Sequence, residues 1–293
     1  MADRRDRRRR ADVVAAPTLL AVPNVSEGRD LAALDAIGAA FEAGGARLLD
    51  RHHDPDHNRA VFTLAGEPGR LARAMVDGAR AAVERIDLTR HEGVHPRVGA
   101  VDVAPIVHLT DEDRGAANAE ALVLADALGH ELGLPVYLYG ALAGGRSRAE
   151  LRRGGPEALI ARTTPDYGPR HLHPTAGATL VAARPPLVAF NLRVDAPLDE
   201  AKRIAAAIRE GGPEGLPGVR AIGLALERGG IVQVSTNLEG ATTAAQVVEA
   251  VLRHTRVSSA ELVALAPEKA LAGFPEDLPL HNRATIEERL YPR

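Results

Sequence analysis

Two histidines, an arginine and two glycines crowd the stretch His91-Glu92-Gly93-Val94-His95-Pro96-Arg97-Val98-Gly99-Ala100-Val101-Asp102. Pro96 removes a backbone donor and pushes His95 into an extended conformation. Gly93 and Gly99 permit a turn, or the close approach of another group to the backbone. An imidazole held extended beside a guanidinium, just ahead of an apolar strand, is suited to moving a proton near neutral pH. A surface turn with incidental histidines is the competing reading, and both fit this stretch by itself.

Three further stretches carry reactive or polar side chains. Val22-Pro23-Asn24-Val25-Ser26-Glu27-Gly28 closes a short apolar run. It reads as a helix entry built from turn formers, or as a loop whose Asn24, Ser26 and Glu27 point into the mouth of a cleft. His52-His53-Asp54-Pro55-Asp56-His57-Asn58-Arg59 is dense in potential metal ligands. It matches no standard zinc pattern, so no metal is expected. Arg59 instead suits a carboxylate, which its planar fork can grip with two hydrogen bonds. Gly168-Pro169-Arg170-His171-Leu172-His173-Pro174-Thr175-Ala176-Gly177-Ala178-Thr179 is either a linker or a loop that wraps a ligand. The absence of low-complexity residues favours the ligand loop.

The elements that must position these stretches follow from periodicity. Residues 19–24 form a short buried strand, and 30–42 place Leu31, Leu34, Ile37 and Phe41 at helical spacing, closed by Gly44-Gly45. Strands are predicted over 46–50, 61–65 and 101–109, a polar loop over 51–59, and a second helix over 71–86 opened by Pro68. The order is β-α-β-β-α-β, the split ferredoxin-like unit. A long helix over 111–133, with Asp111, Glu112 and Asp113 at its positive end, precedes a strand over 135–139. A loop-rich connection with one short helix follows over 144–169. The opening order then returns: strand 187–194, helix 198–210, strands 219–227 and 231–237 joined across Arg228-Gly229-Gly230, helix 242–254 and strand 261–266. The fold class is therefore α+β, with two tandem ferredoxin-like (βαββαβ) subdomains, 17–184 and 185–293, divided near Arg184-Pro185-Pro186. A cleft or tunnel between them is the default ligand site.

Composition excludes several classes. A chain of 293 residues with 45% hydrophobic content can bury a sizeable core, and no segment approaches the ~20 apolar residues of a membrane span. A formal charge of −3, with 3% aromatic residues, gives no basis for nucleic-acid binding. Zero cysteines rule out disulfides, thiol nucleophiles and thiolate metal sites, and a cytoplasmic location is the simple expectation. Residues 1–16 begin with an arginine-rich block, expected to be a solvated, disordered arm or the product of a misassigned start. The apolar run behind it is broken by Pro17 and Pro23 and shows no convincing cleavage site.

Taken in order along the chain, these motifs resemble a known family, glutamate formimidoyltransferase, the transferase half of formiminotransferase-cyclodeaminase. The resemblance rests on Val-Pro-Asn-Val-Ser-Glu-Gly (22–28), Asp-His-Asn-Arg (56–59) and His-x-Gly-x-His-Pro-Arg-x-Gly-Ala-x-Asp (91–102). Pro-Val-Tyr-Leu-Tyr-Gly (135–140), Asp-Tyr-Gly-Pro (166–169), Gly-Ala-Thr (177–179), Ala-Phe-Asn (189–191) and Gln-Val-Ser-Thr-Asn-Leu (233–238) add to it. It covers nearly the whole chain, from Thr18 to the last strand.

The resemblance implies transfer of a formimidoyl group from N-formimidoyl-L-glutamate to N5 of tetrahydrofolate, a step of histidine breakdown. Tetrahydrofolate is then a co-substrate bound between the subdomains, and a homodimer is expected, with neither nucleic acid nor membrane as partner. The family's catalytic histidine falls on His95, and its folate loop on 168–177. Substrate contacts are expected from Asn24, Ser26, Glu27, His52, Asn58, Arg59 and Arg97 as well. Asp50, His52 or Glu27 would orient His95, and Arg59, Arg97 and Arg170 would anchor carboxylates as desolvated cations. The sequence departs from the pattern at His52, where fused vertebrate-type enzymes carry an Asp, and at Ala176, where they carry an aromatic residue. No room for a cyclodeaminase domain follows the second subdomain, so channelling to one within this chain is not expected. Two other readings compete: a metal-dependent hydrolase or deiminase built on His52, His53, Asp54, Asp56 and His57, and a folate-binding protein without chemistry.

Overall fold

The computed structural model describes residues 17–93, 96–226 and 230–292. The expected arm over 1–16, His95 and the hairpin-tip residues Arg228 and Gly229 lie outside the described residues.

The first unit opens with β1 (Leu19–Ala21) and β2 (Asn24–Val25), followed by α1 (Leu31–Ala43), β3 (Arg47–Asp54), β4 (Arg59–Gly66), α2 (Leu71–Arg85) and β5 (Val101–Val107). β1 and β2 are two halves of one strand. Both lie between β4 and β5, and the pair Asn24–Val61 continues the register of Ala21–Leu64. Pro23 interrupts the strand because it has no N–H to give to the ladder, and a bulge follows between Asn24 and Val25. With β3 on the outer side of β4, the strand order is that of a ferredoxin-like unit.

α1 starts where the Asp30 side chain accepts from Ala33 N, and it buries Leu34, Ile37 and Phe41. Leu31, expected on that face, is 49% exposed. α2 has no side-chain cap of its own. Its free N–H groups are met instead by buried Glu120, whose carboxylate accepts from Gly69 N (2.7 Å) and Ala72 N (2.6 Å).

The unit is then enlarged by α3 (Arg114–Glu131), β6 (Val136–Leu138), α4 (Arg148–Arg152), α5 (Gly155–Arg162) and β7 (Thr179–Arg184). β7 runs parallel between β5 and β6. No strand was expected over these residues, because a continuous apolar run has no alternation to mark it. Strand β5, expected over 101–109, ends at Val107 and is buried at every position. The acids Asp111 to Asp113 form the turn before α3 and not its first turn. The 144–169 connection holds two short helices where one was expected.

The second unit contains β8 (Leu187–Val194), α6 (Leu198–Ile208), β9 (Val219–Ala225), β10 (Val232–Glu239), α7 (Ala244–Leu252) and β11 (Val257–Leu262). Its strands order as β11-β8-β10-β9, again ferredoxin-like, with β12 (Leu280–His281) added parallel to β11. The final strand was expected over 261–266 and lies earlier. Its register is pinned by pairing with β8 from Val257 onward, while the apolar residues 263–266 serve packing outside the sheet. Helix α8 (Ile286–Leu290) returns to the first sheet, where Ile286 and Leu290 pack with Leu20, Leu49, Ala65 and Val107. Arg47 Nη2 donates to the Leu290 carbonyl at 3.0 Å. Each sheet thus buries one face under its own helices, and part of the first sheet's other face, at Val103, Leu180 and Ala182, packs with Leu151 of α4 and Leu159 of α5.

Candidate functional site

Residues of both sheets line a cavity of ≈ 380 Å³. Strand periodicity decides which side chains reach it. In β8, Val188, Phe190 and Leu192 enter the core under α6 and α7, so Leu187, Ala189 and Asn191 face the cavity. In β4, Ala60, Phe62 and Leu64 pack against the helices, and Arg59 and Val61 face the cavity. β3 contributes His52 and Asp54, and the strand break at Pro23 presents Val22 and Asn24.

The lining is rich in guanidinium groups: Arg59, Arg148, Arg152, Arg184, Arg209 and Arg220, with Asp54 and Glu210 as its carboxylates. Arg59 donates to Asn24 Oδ1. Burial pushes its guanidinium down to about 9, helped by the Arg152 and Arg148 cations and opposed by Asp102, so it stays charged at neutral pH. Asp102 is 1% exposed and forms an ion pair with Arg152, while its Oδ1 accepts from Val98 N at 2.8 Å. This carboxylate therefore ties α4 to the segment that follows His95.

At the turn between β3 and β4, Asp54 accepts from Asp56 N (2.7 Å) and His57 N (2.9 Å), with His57 Nδ1 3.2 Å from its other oxygen. Burial would raise Asp54, but the His57 ring and these backbone donors hold it well below the ordinary carboxylate range. Burial lowers His52, against the pull of Glu261, Asp54 and Asp50, and Asn282 Nδ2 donates to its Nδ1 at 3.2 Å. Alternation turns His53 away, with its Nδ1 3.2 Å from the Gly28 carbonyl. The dense ligand run consequently does not converge, and no group of three or more His, Asp or Glu among the described residues is placed to hold a metal.

Of the residues expected to contact substrate, Asn24, His52 and Arg59 line the cavity. Ser26 is bound to the 91–102 segment, donating through Oγ to Gly99 O and through N to Ala100 O, both at 2.8 Å. Glu27 accepts from Arg29 N and Asp30 N at the start of α1. Asn58, in the left-handed region at φ 46, accepts from Gly28 N and donates to Glu92 O. Arg97 donates to the carbonyls of Gly93 and His91, and Arg170 is exposed, not desolvated.

The 168–177 loop folds onto the same segment. Gly177 bridges Gly99, Ala100 N donates to Ala176 O, and Ala178 N donates to Val98 O. A Cβ on Gly99 would stand 1.7 Å from the Ala178 carbonyl oxygen, and one on Gly177 2.4 Å from that of Val98, so both glycines are required by contact between backbones. Ala176 is 1% exposed within the first core. His173 Nδ1 accepts from Ala176 N at 3.1 Å, and Leu172 packs against a small apolar cluster under α4 and α5. Gly168, Pro169, His171, Pro174 and Thr175 complete the loop without entering the cavity wall.

Sequence reasoning missed Arg148, Arg152, Arg184 and Arg220. A signal existed for Asn191, Ser235 and Asn237, which sit in the quoted 189–191 and 233–238 motifs and all line the cavity.

Two ferredoxin-like units sharing a cation-rich cavity define an α+β protein built to take a small anionic molecule. The chain belongs to the formiminotransferase-domain family: residues 18–184 match the formiminotransferase domain, N-terminal subdomain, and 189–276 the formiminotransferase domain. It is 38% identical to glutamate formimidoyltransferase of Streptococcus pyogenes serotype M1, covering 87% of this chain and 91% of that one. It is 35% identical to glutamate formimidoyltransferase of Thermoplasma acidophilum (85% and 88% covered) and 40% identical to formimidoyltransferase-cyclodeaminase of Sus scrofa (85% and 50%). The chain thus spans about half the length of the animal relatives it matches. No helix among the described residues is long and apolar enough to cross a membrane.

Proposed function

We propose that this chain transfers the formimidoyl group of N-formimidoyl-L-glutamate to N5 of tetrahydrofolate, giving 5-formimidoyltetrahydrofolate and L-glutamate. The observation that carries this reading is the arginine-rich cavity in a chain of this family, because both substrates bear carboxylates. Tetrahydrofolate is a co-substrate here, and no metal takes part.

Attack of the folate amine on the amidine carbon makes a tetrahedral carbon. One nitrogen must lose a proton, and the departing glutamate nitrogen must gain one. A histidine titrating near neutrality can do both in turn, and His95 is assigned that role from its place in the motif. Support comes from the care with which its neighbours are held: Val98 by Asp102, Gly99 by Ser26, and Glu92 by Asn58. Of Asp50, His52 and Glu27, His52 is the one on the cavity wall, so it is the proposed partner of His95. We place the division between the subdomains at 184/185, where β7 ends and β8 is about to begin. A cytoplasmic homodimer is the assembly this reading carries.

The test is turnover of N-formimidoyl-L-glutamate with and without tetrahydrofolate. Strict folate dependence, abolished by His95→Ala with folate binding intact, is the expected result. Consumption of the donor without folate would make the protein a hydrolase, and a His95→Ala variant with most of its turnover would sink the histidine assignment.

A further inference from the structure

Two of the cavity's arginines, Arg148 and Arg184, form no ion pair among the described residues. Arg148, on α4, makes no hydrogen bond or ion pair among the described residues, and its guanidinium carbon lies 5.8 Å from the centre of the Tyr139 ring. Arg184, at the end of β7, spends one nitrogen on the neighbouring Pro185 carbonyl (2.9 Å), and its Nε is buried with no partner among the described residues. Neither choice suits an apoprotein. A guanidinium partly withdrawn from water without an ion pair is costly, and the nearness of two like charges adds repulsion. Burial lowers Arg148, and the Arg184 and Arg152 cations lower it further against the opposing pull of Tyr139 and of the more weakly felt Glu239 carboxylate. Arg152, in contrast, has Asp102.

The second unit adds apolar and neutral polar groups beside Arg220. β9 presents Ile222 and Leu224, while β8 and β10 present Asn191 and Ser235, joined by a 2.6 Å hydrogen bond. A ligand complementary to this end of the cavity carries two carboxylates on a short apolar linker, with a polar group beside them.

We propose that Arg148 and Arg184 form an anchor for the two carboxylates of a glutamyl group. Each planar fork can donate paired N–H groups to a carboxylate, and two neighbouring cations without an ion pair among the described residues favour a dianion. The identification of the ligand as glutamyl rests on the transferase reading above. Within that reading, two molecules offer the same chemistry: the formimidoylglutamate donor and the glutamyl end of tetrahydrofolate.

Arg148→Met and Arg184→Met retain much of the side-chain length and remove the charge, and thermal melts confirm folding. Calorimetric titration with glutarate, set against acetate, reads the anchor without any chemistry. Glutarate is expected to bind the unaltered protein more tightly than acetate, and each substitution to weaken it roughly tenfold or more, the loss of a charge-assisted contact. In steady-state assays the KM of one substrate rises by a similar factor, while kcat falls much less. A rise confined to N-formimidoyl-L-glutamate seats the donor on the anchor, and a rise confined to tetrahydrofolate seats the folate's glutamyl end there. Glutarate binding and both KM values unchanged in folded variants would overturn the anchor and leave the transferase standing. Arginine-dependent glutarate binding in a protein without folate-dependent turnover would keep the anchor and reject the transferase.

Discussion

Removing the Asp102 carboxylate should destabilise the protein far more than a typical substitution. Asp102 is 1% exposed, and the Arg152 side chain opposite it is 13% exposed. Asp102→Ala therefore strands a largely desolvated guanidinium, leaves Val98 N without its acceptor, and withdraws a carboxylate that also steadies the Arg59 and Arg97 cations. Breaking a buried pair from one side costs about 3–5 kcal/mol. For a chain of this size that corresponds to a melting temperature lower by on the order of 10 °C. The assay is urea unfolding followed by circular dichroism, on Asp102→Ala, Arg152→Met and the double variant. Because deleting both partners leaves no stranded charge, the double variant should be more stable than Asp102→Ala by ~1 kcal/mol or more. An Asp102→Ala protein within ~1 kcal/mol of the parent, or a double variant whose loss equals the sum of the singles, refutes the coupling.

Other outcomes follow from the same geometry. Asp54 sits below its unfolded value, so its contribution is complete above about pH 3.9 and is lost as pH falls from there; Asp54→Asn should flatten the acid limb of stability, and an unchanged limb counts against the His57 contact. Burial first, then the Arg97 cation, lowers His91. The unfolded chain then binds the proton more readily, and stability drops as pH falls below about 6.5. His91→Gln should shrink that drop in a series of urea midpoints, and an equal drop in both proteins would argue against a neutral buried ring. Gly99→Ala forces a Cβ against the Ala178 carbonyl and should cost most turnover while far-UV dichroism persists; wild-type kinetics would show that the loop docking is dispensable.

Much of the fold was legible because periodicity is local. The alternation of Val188, Phe190 and Leu192 with Leu187, Ala189 and Asn191 marks two faces before any partner is known. The doubled βαββαβ order follows from such signals, and the family resemblance rests separately on short motifs in the right order. β7 was missed because a strand buried on both faces carries no alternation, and the 261–266 assignment drifted late because apolar composition does not fix register.

Of the expected site residues, sequence types alone could point to Asn24, His52 and Arg59 on the cavity wall, but not to the different employment of Ser26, Glu27, Asn58 and Arg97 in holding backbone. Arg148 and Arg152 occupy a short helix whose Ser147 and Glu150 form an ordinary capping box, and read locally they are solvent-facing charges. Their burial was decided by tertiary structure, because the partner of Arg152 lies fifty residues earlier at Asp102 and Arg184 arrives from a third element. The sequence by itself determined which side chains share a face, since that depends only on the spacing of neighbours along the chain. Which faces meet, and which cations are thereby withdrawn from water without a counter-ion, depends on residues far apart in sequence, and only the tertiary structure decided it.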